Sequence, residues 1–186
     1  MNTETAQAEQ IPKGKINQNK SQAFVDYIIK RCQSDNGFRA VLKRADNPTT
    51  EYQSWEALAG FGVNLEHQNT RLPHALIAAA LARTKTEENG TGQIGQAIAR
   101  CYDDGNKSDQ AKAKLRRLLA CNSTPEVCRI LRPLFSLIES KSHIRLDYAR
   151  LLNDLLWFNQ EDGQTRIKAR WAQHFYNHVE KESEDE

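Results

Sequence analysis

At 186 residues, 39% hydrophobic and 27% charged, the chain is long enough to bury a core without disulfides or metals, too apolar for general disorder and too polar for a membrane protein. No apolar run approaches the roughly 20 residues that a bilayer span requires, and residues 1–10 lack the basic and apolar regions of a secretory signal, so a cytoplasmic protein is expected. The formal net charge of +2 hides an uneven distribution: residues 180–186 carry five carboxylates and one Lys, whereas residues 112–150 hold nine Lys or Arg against three acids. A local cationic excess is what a polyanion partner requires, because counterion release depends on how many cations meet phosphates together.

Residues 1–20 are polar and are expected to form a flexible leader. From Ser21 the pattern turns helical, with Phe24, Val25, Ile28, Ile29 and Cys32 on one face. After the break at Ser34-Asp35-Asn36-Gly37, Phe38, Val41, Leu42 and Ala45 form a second stripe that closes at Asp46-Asn47-Pro48. Short helices are expected over residues 55–61 and 72–83, with Pro73 in a first turn. The polar, glycine-bearing segment 84–95 is expected to be a loop that divides an N-terminal half, residues 21–90, from a C-terminal bundle, residues 91–179.

The second half is more regular. Ala111, Leu115, Leu118 and Leu119 form one stripe, and Asn122-Ser123-Thr124-Pro125-Glu126 is a cap-like start for a helix carrying Val127, Ile130, Leu131, Leu134, Leu137 and Ile138, kinked at Pro133. Ile144, Tyr148, Leu151, Leu152 and Leu155 make the next, and Ile167, Trp171 and Phe175 the last, before the acidic tail at 180–186. Nothing alternates with period two. The fold class expected is all-α, a two-part bundle of about eight helices.

Little in the chain suggests catalysis. Gly90-Thr91-Gly92-Gln93-Ile94-Gly95 spells the dinucleotide fingerprint, but no buried strand precedes it, so a flexible loop is expected. His174 and His178, four residues apart, could share a metal, yet Phe175 stands where a zinc hydrolase carries its Glu base. The four cysteines form no Cys-x-x-Cys pair and read as core hydrophobes; Trp55, Trp157 and Trp171 read as core anchors.

The cations are the informative feature. At 100° per residue, Lys112 and Arg116 fall on one edge of the leucine stripe and Lys114 and Arg117 on the other. Arg39 and Lys43 flank one edge of the second helix and Arg44 the other. Arg166 and Arg170 flank the last stripe, with Lys168 opposite and no acid from Gly163 to Val179. With no aromatic residues interleaved, the pattern predicts sequence-independent contact with a nucleic-acid backbone rather than base stacking.

The segments Gly37-Phe38-Arg39-Ala40-Val41-Leu42-Lys43-Arg44-Ala45, Lys114-Leu115-Arg116-Arg117-Leu118-Leu119, Tyr148-Ala149-Arg150-Leu151-Leu152 and Arg166-Ile167-Lys168-Ala169-Arg170-Trp171-Ala172-Gln173-His174-Phe175-Tyr176 together resemble the CasB small subunit of the type I-E CRISPR Cascade complex, across most of residues 22–178. The resemblance implies a non-catalytic helical protein without cofactor or metal that pairs with itself in the complex. It implies CasA, CasC, CasD and CasE types of subunit, crRNA and target DNA as partners, and a role in holding strands of the R-loop. The matching basic positions are Lys43, Arg44, Arg116, Arg117, Arg150, Arg166, Lys168 and Arg170, to which the helix-edge pattern adds Lys114. Two alternatives stand beside it: a protein-only helical adaptor, and a metal-dependent nuclease built on His174 and His178.

Overall fold

The computed structural model describes residues 13–177, and every regular element among them is helical. The helices are α1 (Lys13–Ser34), α2 (Asn36–Leu42), α3 (Trp55–Gly60), α4 (Gln68–Thr84), α5 (Ile94–Ala99), α6 (Asp109–Leu119), α7 (Thr124–Lys141), α8 (Tyr148–Trp157) and α9 (Glu161–Tyr176), with 3-10 turns at Glu51–Ser54 and Gly105–Lys107. The all-α expectation holds. None of these helices is long and apolar enough to cross a membrane. Most of the expected leader, His178 and the acidic tail lie outside the described residues.

Several boundaries differ from the expected ones. Helix α1 begins at Lys13 rather than Ser21: once the Phe24–Ile28 stripe is packed, extending a helix backward through polar residues costs little, since nucleation is the expensive step. Pro73 sits inside α4 rather than in its first turn, and α7 continues through Pro133 to Lys141. Helix α5 begins in the last two residues of the expected loop and runs on to Ala99, where no helix is expected. Its signal is the Gln93/Gln96 pair, in which the Gln96 side chain accepts from the Gln93 amide at 3.5 Å. Side-chain caps start three other helices, Asp35 accepting from Phe38 N, Ser108 from Ala111 N and Asp147 from Arg150 N.

Helix α4 is the hub. Every residue from Pro73 to Ala82 is buried, as an apolar-all-round sequence demands, and its five buried alanines let α1, α7 and α8 pack close to its backbone. Helix α1 packs on α8 as well, so the two expected halves share one buried core. Phe24 is central on the α1 side, edge-on to Phe61 and to His74 with ring centroids 5.0 and 4.7 Å away. At the other end α5 lies against α9, and Trp171 stacks on Phe158 at 5.9 Å.

The glycine-bearing segment is tied down rather than flexible. Gly90 N donates to Leu146 O, Gly92 N to Arg145 O and Asp147 N to Gly92 O, at 2.8–3.1 Å. Asn89 fastens the same seam, donating to Asp147 Oδ1 and accepting from Tyr148 N. A Cβ at Gly90 would overlap the Arg145 carbonyl, and one at Gly92 the Ile144 side chain. These glycines permit close backbone approach, and the Gly90 and Gly92 amides are spent on the seam.

The cysteines behave as expected of core residues. Cys101, Cys121 and Cys128 are buried and Cys32 half-buried, all as free thiols. Burial pushes Cys101 up to about 11 and Cys128 to about 12, which keeps them protonated. Trp55 departs from expectation: it is not a core anchor but 39% exposed, beside a 61% exposed Tyr52.

Candidate nucleic-acid interface

Eight of the nine expected basic positions fall into three neighbourhoods, and the ninth, Arg166, stands exposed on α9 outside them. The first is the end of α2. Lys43 and Arg44 are exposed, while their backbone is held inward, Lys43 O accepting from Arg83 Nη1 at 3.1 Å and Arg44 O from Thr50 Oγ1 at 2.9 Å. Beneath them Asp46, its side chain only 7% exposed, receives both Arg83 terminal nitrogens at 3.2 and 2.8 Å, and Arg132 Nε from α7 stands 3.8 Å away. One carboxylate between two guanidiniums leaves a positive excess, to which Lys43 and Arg44 add.

The second neighbourhood is the α6–α7 edge. Lys114, half-buried, and Arg117, exposed, line a groove with Ile130, Pro133, Leu134 and Leu137 of α7. Arg116 is exposed nearby on α6, and Lys112 is paired with Asp109 at 3.8 Å. Just beyond the end of α6, Lys168 from α9 and Arg129 from α7 both act electrostatically on the Cys121 thiol. Lys168 also reaches Asn122 Oδ1 at 3.5 Å and Gln164 Oε1 at 3.3 Å, and lies 5.7 Å over the Phe158 ring.

The third is the α8–α9 seam. Asp154 is buried, accepts from Trp171 Nε1 at 2.9 Å and is held by the Arg170 guanidinium. Burial pushes the Asp154 carboxyl above its usual range, against the opposing pull of Arg170. Arg150 and Arg170 both press on His174, which burial and these two charges hold below the ordinary histidine range. A metal cation at His174 would face two guanidiniums, and His178 lies outside the described residues, so the nuclease alternative draws no support from this seam.

Among the described residues Lys43, Arg44, Lys114, Arg116, Arg117, Arg150 and Arg166 make no ion pair. Arg170 is committed to Asp154, a partner invisible along α9 because it arrives from the neighbouring helix. Three further arginines, Arg83, Arg129 and Arg132, join the basic neighbourhoods without standing among the expected positions. Arg129 and Arg132 are legible as an i, i+3 pair on one helix, whereas Arg83 is placed by a contact 37 residues distant.

Comparisons with known proteins bear on this geometry. The family model of the CRISPR-associated protein Cse2 matches residues 38–176. No curated protein matches the chain by sequence. Among solved structures, the crystal structure of M. ruber CasB is similar at 24% identity over 85% of this chain and 93% of its own, with TM-score 0.65. A chain of a CRISPR RNA-guided surveillance complex aligns at 19% identity over 87% and 93%, TM-score 0.66. A Cse2-family CRISPR-associated protein from Thermus thermophilus aligns at 23% identity over 84% and 97%, TM-score 0.63. At these identities the structural likeness shows a shared fold.

Proposed function

Because the chain belongs to the Cse2 family of CRISPR-associated proteins, we propose that it is a non-catalytic small subunit of a type I-E Cascade ribonucleoprotein, present as a pair, that holds the target and displaced DNA strands and the crRNA backbone in the R-loop. Its partners in this reading are the CasA, CasC, CasD and CasE types of subunit, crRNA and target DNA, in the cytoplasm. A structurally similar chain belongs to an RNA-guided surveillance complex, which supports that setting.

The observation that carries the reading is the set of exposed cations without carboxylate partners: Lys43 and Arg44 at the end of α2, Arg116 and Arg117 on α6, and Arg166 on α9. Lys114, Lys168 and Arg150 stand half-buried at the margins and extend the contact. Arg170, fixed to Asp154, orients the α8–α9 seam on which Arg150 stands. An RNA–DNA heteroduplex is about as stable as the duplex that it displaces, so a few phosphate contacts to the freed strand tip the balance.

The test is permanganate footprinting of the displaced strand in a reconstituted complex. Arg44→Glu/Arg116→Glu/Arg117→Glu should assemble and yet leave the R-loop short-lived; a full-length, stable R-loop with this variant would overturn the proposal. One feature favours the adaptor alternative, the apolar α7 side of the α6–α7 groove. A protein contact there would barely respond to salt, whereas strand binding weakens steeply.

A further inference from the structure

The 3-10 turn Glu51–Ser54 runs directly into α3, so Tyr52 and Trp55 are three residues apart where i and i+3 side chains eclipse and project to the same side. Both are exposed, 61% and 39%. Rings of this size are ordinarily turned inward, and here they are not. Glu51 and Ser54 take the buried positions instead, Ser54 Oγ donating to Glu51 O at 2.7 Å. Glu51 also accepts from Arg71 Nε at 2.6 Å. Arg71 is clamped a second time by Leu65 O, and its guanidinium carbon lies 5.6 Å over the Trp55 ring. The indole is thus propped from one side and open on another.

We infer that Tyr52 and Trp55 form a stacking platform for unpaired bases of a single strand whose phosphates are held by Lys43 and Arg44. This rests on the proposed backbone-holding role and adds to it a base contact. The charge setting points to nucleic acid: the Thr50 hydroxyl, bonded to Arg44 O at 2.9 Å, locks the cationic end of α2 against the residue that opens the aromatic turn. Along residues 51–60 the other exposed residues are Gln53, Glu56, Ala59 and Gly60, so the two rings are the only large apolar groups that this stretch exposes. Every base offers a π-face, so such a platform is indifferent to sequence.

The experiment compares, for the full chain, binding of a labelled oligothymidylate with that of an abasic strand bearing the same number of phosphates. Wild type should prefer the base-bearing strand by at least about 5-fold, the scale of one stacked base. Tyr52→Ala/Trp55→Ala should bind both strands equally, at the wild-type abasic strength, and Tyr52→Phe/Trp55→Phe should keep the preference. The inference is overturned if wild type shows no preference or the alanine variant retains it. It is equally overturned if the alanine variant changes only self-association, which would make the patch a protein interface. Arg44→Glu separates the two levels: it should weaken both strands alike, and if it weakens neither, the backbone-holding role itself fails.

Discussion

Gly95 on α5 faces Trp171 on α9 so closely that a Cβ would overlap the Trp171 carbonyl oxygen and lie 2.8 Å from the Phe175 amide nitrogen. Neither obstacle is a flexible side-chain end, so the helices must separate to admit even a methyl group. Gly95→Ala should therefore destabilise by about 1–3 kcal/mol and lower Tm by several degrees. Gly60→Ala, in α3 with open space around its Cα, should be neutral or stabilising by up to about 1 kcal/mol. Thermal unfolding of the two variants side by side checks both signs.

Asp154 is the keystone of the α8–α9 seam. Asp154→Ala strands the Trp171 indole N–H and leaves the Arg170 charge without its counter-ion, and should cost about 2–4 kcal/mol in denaturant unfolding. Arg166→Ala, exposed and unpaired on the same helix, should change stability by no more than about 0.5 kcal/mol.

Acid should weaken the fold through its histidines. His74 is buried against Phe24 and its Nδ1 contacts Thr70 O at 2.7 Å; burial lowers its pKa, as burial, Arg150 and Arg170 lower that of His174. With folded values below the unfolded one of about 6.5, the unfolded chain binds more protons in that window, so stability is complete above it and falls as pH drops through it. Tm measured between pH 7.5 and pH 5 should decline, by less in a His74→Gln variant. A flat profile in wild type would contradict this account of the core.

Thiol reactivity should follow burial. In the native protein a disulfide reagent should modify Cys32 first, because it alone among the cysteines is half-exposed, and all four only after unfolding. Rapid native modification of Cys128, whose thiol is pushed up to about 12, would contradict its placement in the core.

Much of this architecture is legible in the sequence, and the exceptions share a cause. The stripes of α7, α8 and α9 are readable because a buried face repeats every 3.6 residues, and burial of Leu131, Leu152 and Trp171 follows from it. Helix α5 is hidden because six residues are too few to show a period. Trp55 misleads because hydrophobicity alone cannot show that Glu51 and Ser54 take the inward positions of its turn. At the candidate site, cations on helix edges are visible, but their neutralisation is not: Asp46, in the turn after α2, reaches Arg83 and Asp154, on α8, reaches Arg170, at separations of 37 and 16 residues. Linear charge patterns register neighbours three or four residues away and miss such partners.

Phosphate contact is measured by the salt dependence of single-strand binding in fluorescence anisotropy, for wild type and for Arg116→Ala/Arg117→Ala. Phosphate contact predicts a linear fall of log K with log salt concentration, and a slope shallower by about 0.7 for each arginine removed. An affinity insensitive to salt, or a slope that the double substitution leaves unchanged, would contradict it.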